Sequence, residues 1–176
     1  MFLSTEKISL RALEPTDLDF LYALENDVSV WEVSNTIAPF SRFVLQKYID
    51  NAAADIYETR QLRLVIENNK GEAVGAIDLF DFDPQHLRAG VGISVLVNFR
   101  KNKYASEALS LVKDYSRNFL NLHQLYAAVP ENNEASLQLF RSSGFEECGL
   151  KKDWLKTPKG WKNIVEFQLV FGSGNR

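Results

Sequence analysis

One cysteine, one methionine and two histidines in 176 residues exclude a good deal of chemistry. Cys148 alone closes no intramolecular disulfide and cannot build a cysteine-based structural zinc site. His86 and His123 are too few for a typical catalytic metal centre, so no metal is expected. No apolar run approaches the roughly 20 residues that a membrane span needs. The opening MFLSTEKISLRAL lacks the basic-then-apolar order of a signal peptide, which points to a cytoplasmic chain that makes no membrane contact. A net charge of -3 argues against a nucleic-acid surface covering the molecule, although Lys151, Lys152, Lys156, Lys159 and Lys162 gather near the C-terminal end.

With 45% hydrophobic and 24% charged residues, the chain fits one globular domain with a sizeable core. The expected domain spans residues 1–172, with 173–176 as a frayed tail. Ile8 and Leu10 alternate with polar residues in a first strand near 7–13. Glu14-Pro15-Thr16-Asp17 then opens a helix carrying Leu18, Leu21, Tyr22 and Leu24. Residues 26–40 are irregular: a helical elbow, or a mobile loop over a substrate. Ser41 caps a second helix, predicted to run to about residue 58. Leu62, Leu64 and Ile66 alternate up to a turn at Asn68-Asn69-Lys70-Gly71, and a return strand covers 73–82. Strands at 124–129, 145–155 and 162–171, with a short helix before Gly144, complete the pattern. The order predicts a single α/β (α+β) domain: a mostly antiparallel mixed sheet with helices on both faces.

Residues 91–111 form the centre of this plan. Val91, Ile93, Val95 and Val97 alternate as a strand, and a helix begins with Ala105, Ala108 and Leu109. A strand, helix and strand over residues 91–129 imply one parallel pair. Arg100, Lys101 and Lys103 crowd the helix start, where the dipole disfavours cations, so an anion such as a phosphate is expected there.

Three segments in order, ISLRALEPTDLDFLYALEND, FRKNKYASEAL and NNEASLQLFRSSGF, resemble the GNAT superfamily of acetyl-CoA-dependent N-acetyltransferases. The wording is similar to the bacterial ribosomal-protein and spermidine/polyamine N-acetyltransferases, and it covers nearly the whole chain. The resemblance implies acetyl-CoA as acetyl donor and a turn, Arg/Gln-x-x-Gly-x-Gly/Ala, that grips its pyrophosphate. Arg100, Lys101, Asn102, Lys103, Tyr104 and Ala105 occupy that turn, with Lys103 standing where relatives have glycine. It also implies that the backbone of Ile93, Val95 and Val97 bonds the pantetheine arm as a missing strand would. Asn133 corresponds to an asparagine that reaches coenzyme A. Phe140 lies beside the cofactor where many relatives have a tyrosine that protonates the leaving thiolate; phenylalanine cannot do so. Ser136, one turn earlier, is the candidate to meet the sulfur instead.

Acetyl transfer to a primary amine also needs a base, because an amine with pKa near about 10 is mostly protonated at neutral pH. Asp78 is preferred over Asp81. The two differ in parity and would point to opposite sheet faces unless a bulge intervenes. Glu25, Asp27 and Glu32, with Trp31, are candidates to bind a cationic acceptor. Cys148 reads as a small core residue. The expected reaction is direct attack of a primary amine, of a polyamine or a peptide or protein N-terminus, on acetyl-CoA. The alternative is a noncatalytic acyl-CoA-binding or regulatory module. Nucleic acid is not an expected partner, and a homo-oligomer is left open.

Overall fold

The computed structural model describes residues 3–29, 31, 36–52 and 55–172. β1 (Ile8–Arg11) is shorter than the alternation suggests, because Leu13 leaves the sheet to pack beneath a helix pair. A 3-10 turn, Pro15–Asp17, leads into α1 (Leu18–Glu25), and Asp17 accepts the Glu14 amide at 2.8 Å to hold that entry. α2 (Arg42–Asp50) is capped by Ser41, whose hydroxyl accepts from the Val44 amide. The single helix predicted to residue 58 is instead interrupted. Asn51 folds its side-chain amide back onto the Lys47 carbonyl, and Asp55 caps a separate turn, α3 (Ile56–Thr59).

β2 (Leu62–Asn68), β3 (Ala73–Asp83) and β4 (Arg88–Val95) form the antiparallel meander expected from the alternation. α4 (Tyr104–Asn118) crosses to β5 (Gln124–Pro130), α5 (Glu134–Ser142) follows, and β6 (Glu146–Thr157) and β7 (Gly160–Val170) close the sheet. The strand order is β1-β2-β3-β4-β5-β7-β6, with β4 and β5 parallel and the other neighbours antiparallel.

One face of the sheet is apolar. Leu64, Ile66, Ile77, Leu79, Val91, Leu125 and Phe167 pack there with Ala108, Leu109 and Val112 of α4 and Leu137 and Phe140 of α5. A second cluster, Leu21, Leu45 and Ile49 with Phe40 and Tyr48, joins α1 to α2. The opposite sheet face carries a polar row in which Arg63, Asp78 and Gly92 are register partners across β2, β3 and β4.

Candidate active site

β4 and β5 pair for only three residues, from Arg88 with Gln124 to Gly90 with Tyr126, and then part. The direction of the remaining backbone groups follows from two bonds. The Leu96 amide donates to the Val74 carbonyl at 2.9 Å, so Ser94 and Gly92, on the same alternation, also bond toward β3. The intervening Val91, Ile93 and Val95 therefore turn their amides and carbonyls into the gap. On the other side, Phe171 donates to the His123 carbonyl, which directs the odd residues of β5 toward β7 and the backbone of Ala128 into the same gap. The seam thus has two open hydrogen-bonding edges. Val97 does not belong to it: β4 stops at Val95, and Val97–Phe99 is a 3-10 turn that leaves Val97 exposed.

At the end of β4 the chain turns into α4. Lys101 and Lys103 both adopt the left-handed conformation, with φ of 66° and 65°. That is the backbone state glycine adopts without steric cost, which explains physically why a glycine suits position 103. The first helical bond runs from the Glu107 amide to the Lys103 carbonyl, leaving the preceding amides at the helix N-terminus directed outward. Asn102 braces the turn by donating to the Phe99 and Arg100 carbonyls. Tyr104 and Ala105 begin the helix, half-buried. Arg100 reaches elsewhere: Nε donates to the Val95 carbonyl at 3.0 Å, and Nη2 donates to Asp27 Oδ2 and Ser29 Oγ, each at 3.2 Å.

On the polar face, both carboxylate oxygens of Asp78 accept from Arg63, at 2.7 and 3.0 Å, and the remaining guanidinium nitrogen donates to Glu25 at 2.5 Å. The Tyr48 ring lies 5.4 Å from the same guanidinium. Burial works against the Arg63 charge, but Asp78, joined by Tyr48 and Glu25, outweighs it and holds the guanidinium above its ordinary range. Trp31 donates its indole N–H to the Glu25 carbonyl, anchoring the end of α1. Glu32 lies outside the described residues.

Asp81 sits in a bulge between Phe80 and Asp83, with φ of 48°. The extra residue reverses the parity, so Asp81 and Asp83 line the same side as Arg88, Gln124 and Tyr126, around a cavity of about 550 Å³. The parity difference between Asp78 and Asp81 would place them on opposite faces only without a bulge, and the bulge is present. Phe80 lies over Gly90 and meets Tyr126 edge to face, 6.1 Å between ring centres. Burial first, and the Asp81 charge second, push the Tyr126 phenol up, keeping it protonated. Cys148 lines the same cavity and is exposed, not a core residue, because β6 is the sheet's edge strand.

Asn133 caps α5 by accepting the Ser136 amide at 3.2 Å. Ser136 is half-buried on the first turn. Phe140 is buried, packed edge to face on Phe145 and stacked on Phe167.

Residues 7–146 match the Acetyltransferase (GNAT) domain family. The chain is a GNAT acetyltransferase. It is 30% identical over 146 residues to a spermidine N(1)-acetyltransferase of Escherichia coli, covering 83% of this chain and 76% of that protein. An uncharacterized N-acetyltransferase of Bacillus licheniformis, p20, is 28% identical over 96% of this chain and 95% of its own. Among solved structures, the Vibrio cholerae spermidine N-acetyltransferase in complex with CoA and spermine superposes with a TM-score of 0.86 at 22% identity, covering 94% of this chain and 96% of that one. This acetyltransferase takes its acetyl group from acetyl-CoA and transfers it to an amine. The open edges of β4 and β5 and the outward amides at the start of α4 fit an extended arm ending in a pyrophosphate. No group of three or more His, Cys, Asp or Glu that would hold a metal occurs among the described residues. None of their helices is long and apolar enough to cross a membrane.

Sequence reasoning missed Arg63, Phe80 and Tyr126. Arg63 alternates with Leu62 and Leu64 like any outward strand residue, and its partners lie 15 and 38 positions away. A signal for Phe80 was present in the glycines at 90 and 92, which leave room above the cofactor strand for a ring.

Proposed function

We propose that this acetyltransferase acetylates a primary amine of the polyamine class, presented on the polar sheet face along Asp78, Asp81 and Asp83, beside the Phe80 ring that covers Gly90. One observation carries this reading: Asp78, Asp81 and Asp83 all lie on that face, because the bulge turns the last two onto the side of the first. A linear polycation suits carboxylates spaced along a strand. The names of the E. coli and V. cholerae relatives support the same acceptor class.

Acetyl-CoA supplies the acetyl group as a thioester, whose carbonyl the free amine attacks with coenzyme A leaving as a thiolate. The chain's residues divide the remaining work. The outward amides of Ile93 and Val95 hold the donor along β4, and one of them offers a hydrogen bond to charge developing on the carbonyl oxygen. Lys101, Asn102, Lys103, Tyr104 and Ala105 present backbone amides and positive charge to the pyrophosphate, and Asn133 reaches coenzyme A from the start of α5. Asp78, opposite Gly92, takes the ammonium proton directly or through a water. The Arg63 fork uses one lone pair on each oxygen and leaves the others free to accept. Ser136 hydrogen-bonds the leaving sulfur. A thiol pKa of about 8.5 makes the thiolate a tolerable leaving group without a phenol at position 140.

The test is turnover of acetyl-CoA with spermidine, simple monoamines and peptides, with products identified by mass. Asp78→Asn should lower kcat by about 100-fold or more while leaving acetyl-CoA binding intact. Unchanged kcat in that variant would remove Asp78 from the mechanism. The reading extends to self-association: β6 is an edge strand exposed along most of its length, with Leu150 and Trp154 at the surface. Light scattering giving a monomer mass would reject that part.

A further inference from the structure

Arg100 ties the end of β4 to the segment after α1. Its Nε occupies the Val95 carbonyl, one of the groups that β4 turns into the seam, while its Nη2 grips Asp27 and Ser29 in the segment after α1. It also opens the turn whose amides and lysines face the pyrophosphate position. Asp27 meets no other arginine among the described residues. The pair is only partly sheltered, with side-chain exposures of 40% for Arg100 and 17% for Asp27, so a single carboxylate in contact with water holds the guanidinium weakly. A pyrophosphate carries more charge than a carboxylate and accepts an arginine fork well.

We propose that Arg100 exchanges Asp27 for the pyrophosphate of acetyl-CoA, so that donor binding frees both the Val95 carbonyl for the pantetheine arm and the Asp27 carboxylate for the acceptor's ammonium. Asp27 does not drift when released, because its Oδ1 accepts the Ser29 amide at 2.9 Å. The Ser29 hydroxyl and that amide help hold the Asp27 carboxyl below the usual range, so it stays ionised. The exchange couples the sites reciprocally: a cation that takes Asp27 releases Arg100 and tightens donor binding. The acceptor half of this rests on the polyamine reading; the donor half does not.

Calorimetry of the full chain with acetyl-CoA alone separates the two. Asp27→Asn removes the competing anion and should tighten acetyl-CoA binding by up to about fivefold, an effect that shrinks as salt is added. Adding Asp27→Asn to Arg100→Gln should give no further change, because the partner of the exchange is already gone. Asp19→Asn, which loses a different surface ion pair with Arg42, serves as the control and should not alter binding. Weaker or unchanged acetyl-CoA binding in Asp27→Asn overturns the exchange and makes the bridge a structural staple. In the unsubstituted chain, spermidine should tighten acetyl-CoA binding, and Asp27→Asn should abolish that coupling. Tightening by Asp27→Asn with no response to spermidine keeps the exchange and rejects the polyamine at Asp27.

Discussion

Gly90 and Phe80 share one space: a Cβ built on Gly90 would lie 2.3 Å from Phe80 Cε2. The ring covers the bare backbone of β4 at the last residue paired with β5, beside the point where the two strands part. Gly90→Ala forces the ring away from this position. It should destabilise the fold by about 1–3 kcal/mol in chemical denaturation and raise the KM for the amine more than that for acetyl-CoA. Pairing it with Phe80→Ala removes the clash and should recover part of the stability. A Gly90→Ala variant with unaltered stability and amine KM would show that the ring has no fixed place there.

Lys103→Gly tests the turn. The left-handed backbone at this position costs a non-glycine residue about 1 kcal/mol, partly offset by the greater freedom glycine gains when unfolded. Thermal unfolding should show a rise in stability of up to about 1 kcal/mol. Acetyl-CoA binding should become less dependent on salt, because a point charge beside the phosphate is gone. An unchanged salt dependence would place the Lys103 ammonium away from the cofactor.

Arg63 joins α1, β2 and β3 through Glu25 and Asp78, and all three side chains are less than one-fifth exposed. Arg63→Met leaves two sheltered carboxylates facing each other without a counter-charge. The expected loss is about 3 kcal/mol in denaturation, with Arg63→Lys intermediate because a lysine cannot reproduce the fork. A combined Arg63→Met, Glu25→Gln, Asp78→Asn variant should be more stable than Arg63→Met alone.

Asp17 is a buried carboxyl through which acid should weaken the fold. Its burial raises the carboxyl pKa, but hydrogen bonds from Arg11 and the Glu14 amide outweigh that and leave it below the ordinary value. A carboxyl depressed in the folded state contributes stability that is complete above its unfolded pKa of about 3.9 and is lost as pH falls through the folded value. Stability of the native chain should therefore decline below about pH 4. Asp17→Asn should be less stable at neutral pH and show a flatter decline over that acid range. Parallel pH profiles for the two would refute this assignment.

Much of this architecture was legible from local patterns. The alternation of Leu62, Leu64 and Ile66, the cap at Ser41, the glycine after α5 and the cationic junction at Arg100 each report a structure formed by neighbours in sequence. What was illegible depends on distant partners or on a single inserted residue. Nothing around Asp81 announces the bulge that reverses its face, and nothing around Arg100 announces that Asp27 lies within reach. Val97 continues the apolar alternation of β4, but the chain turns there into the 3-10 segment Val97–Phe99, and only the structure shows where the strand ends. The gap between α2 and α3 was hidden because helical spacing of apolar residues continues across it.

The central claim is that the polar face of the sheet presents a polyamine to the thioester. The measurement that tests it most directly is kcat/KM for spermidine against a monoamine of matched length, with acetyl-CoA saturating and products resolved by mass. The account predicts acetylated spermidine and a preference of about tenfold or more, the worth of one additional ammonium–carboxylate contact of about 1.4 kcal/mol. Equal use of the two amines, or a peptide acetylated while spermidine is left untouched, would contradict it.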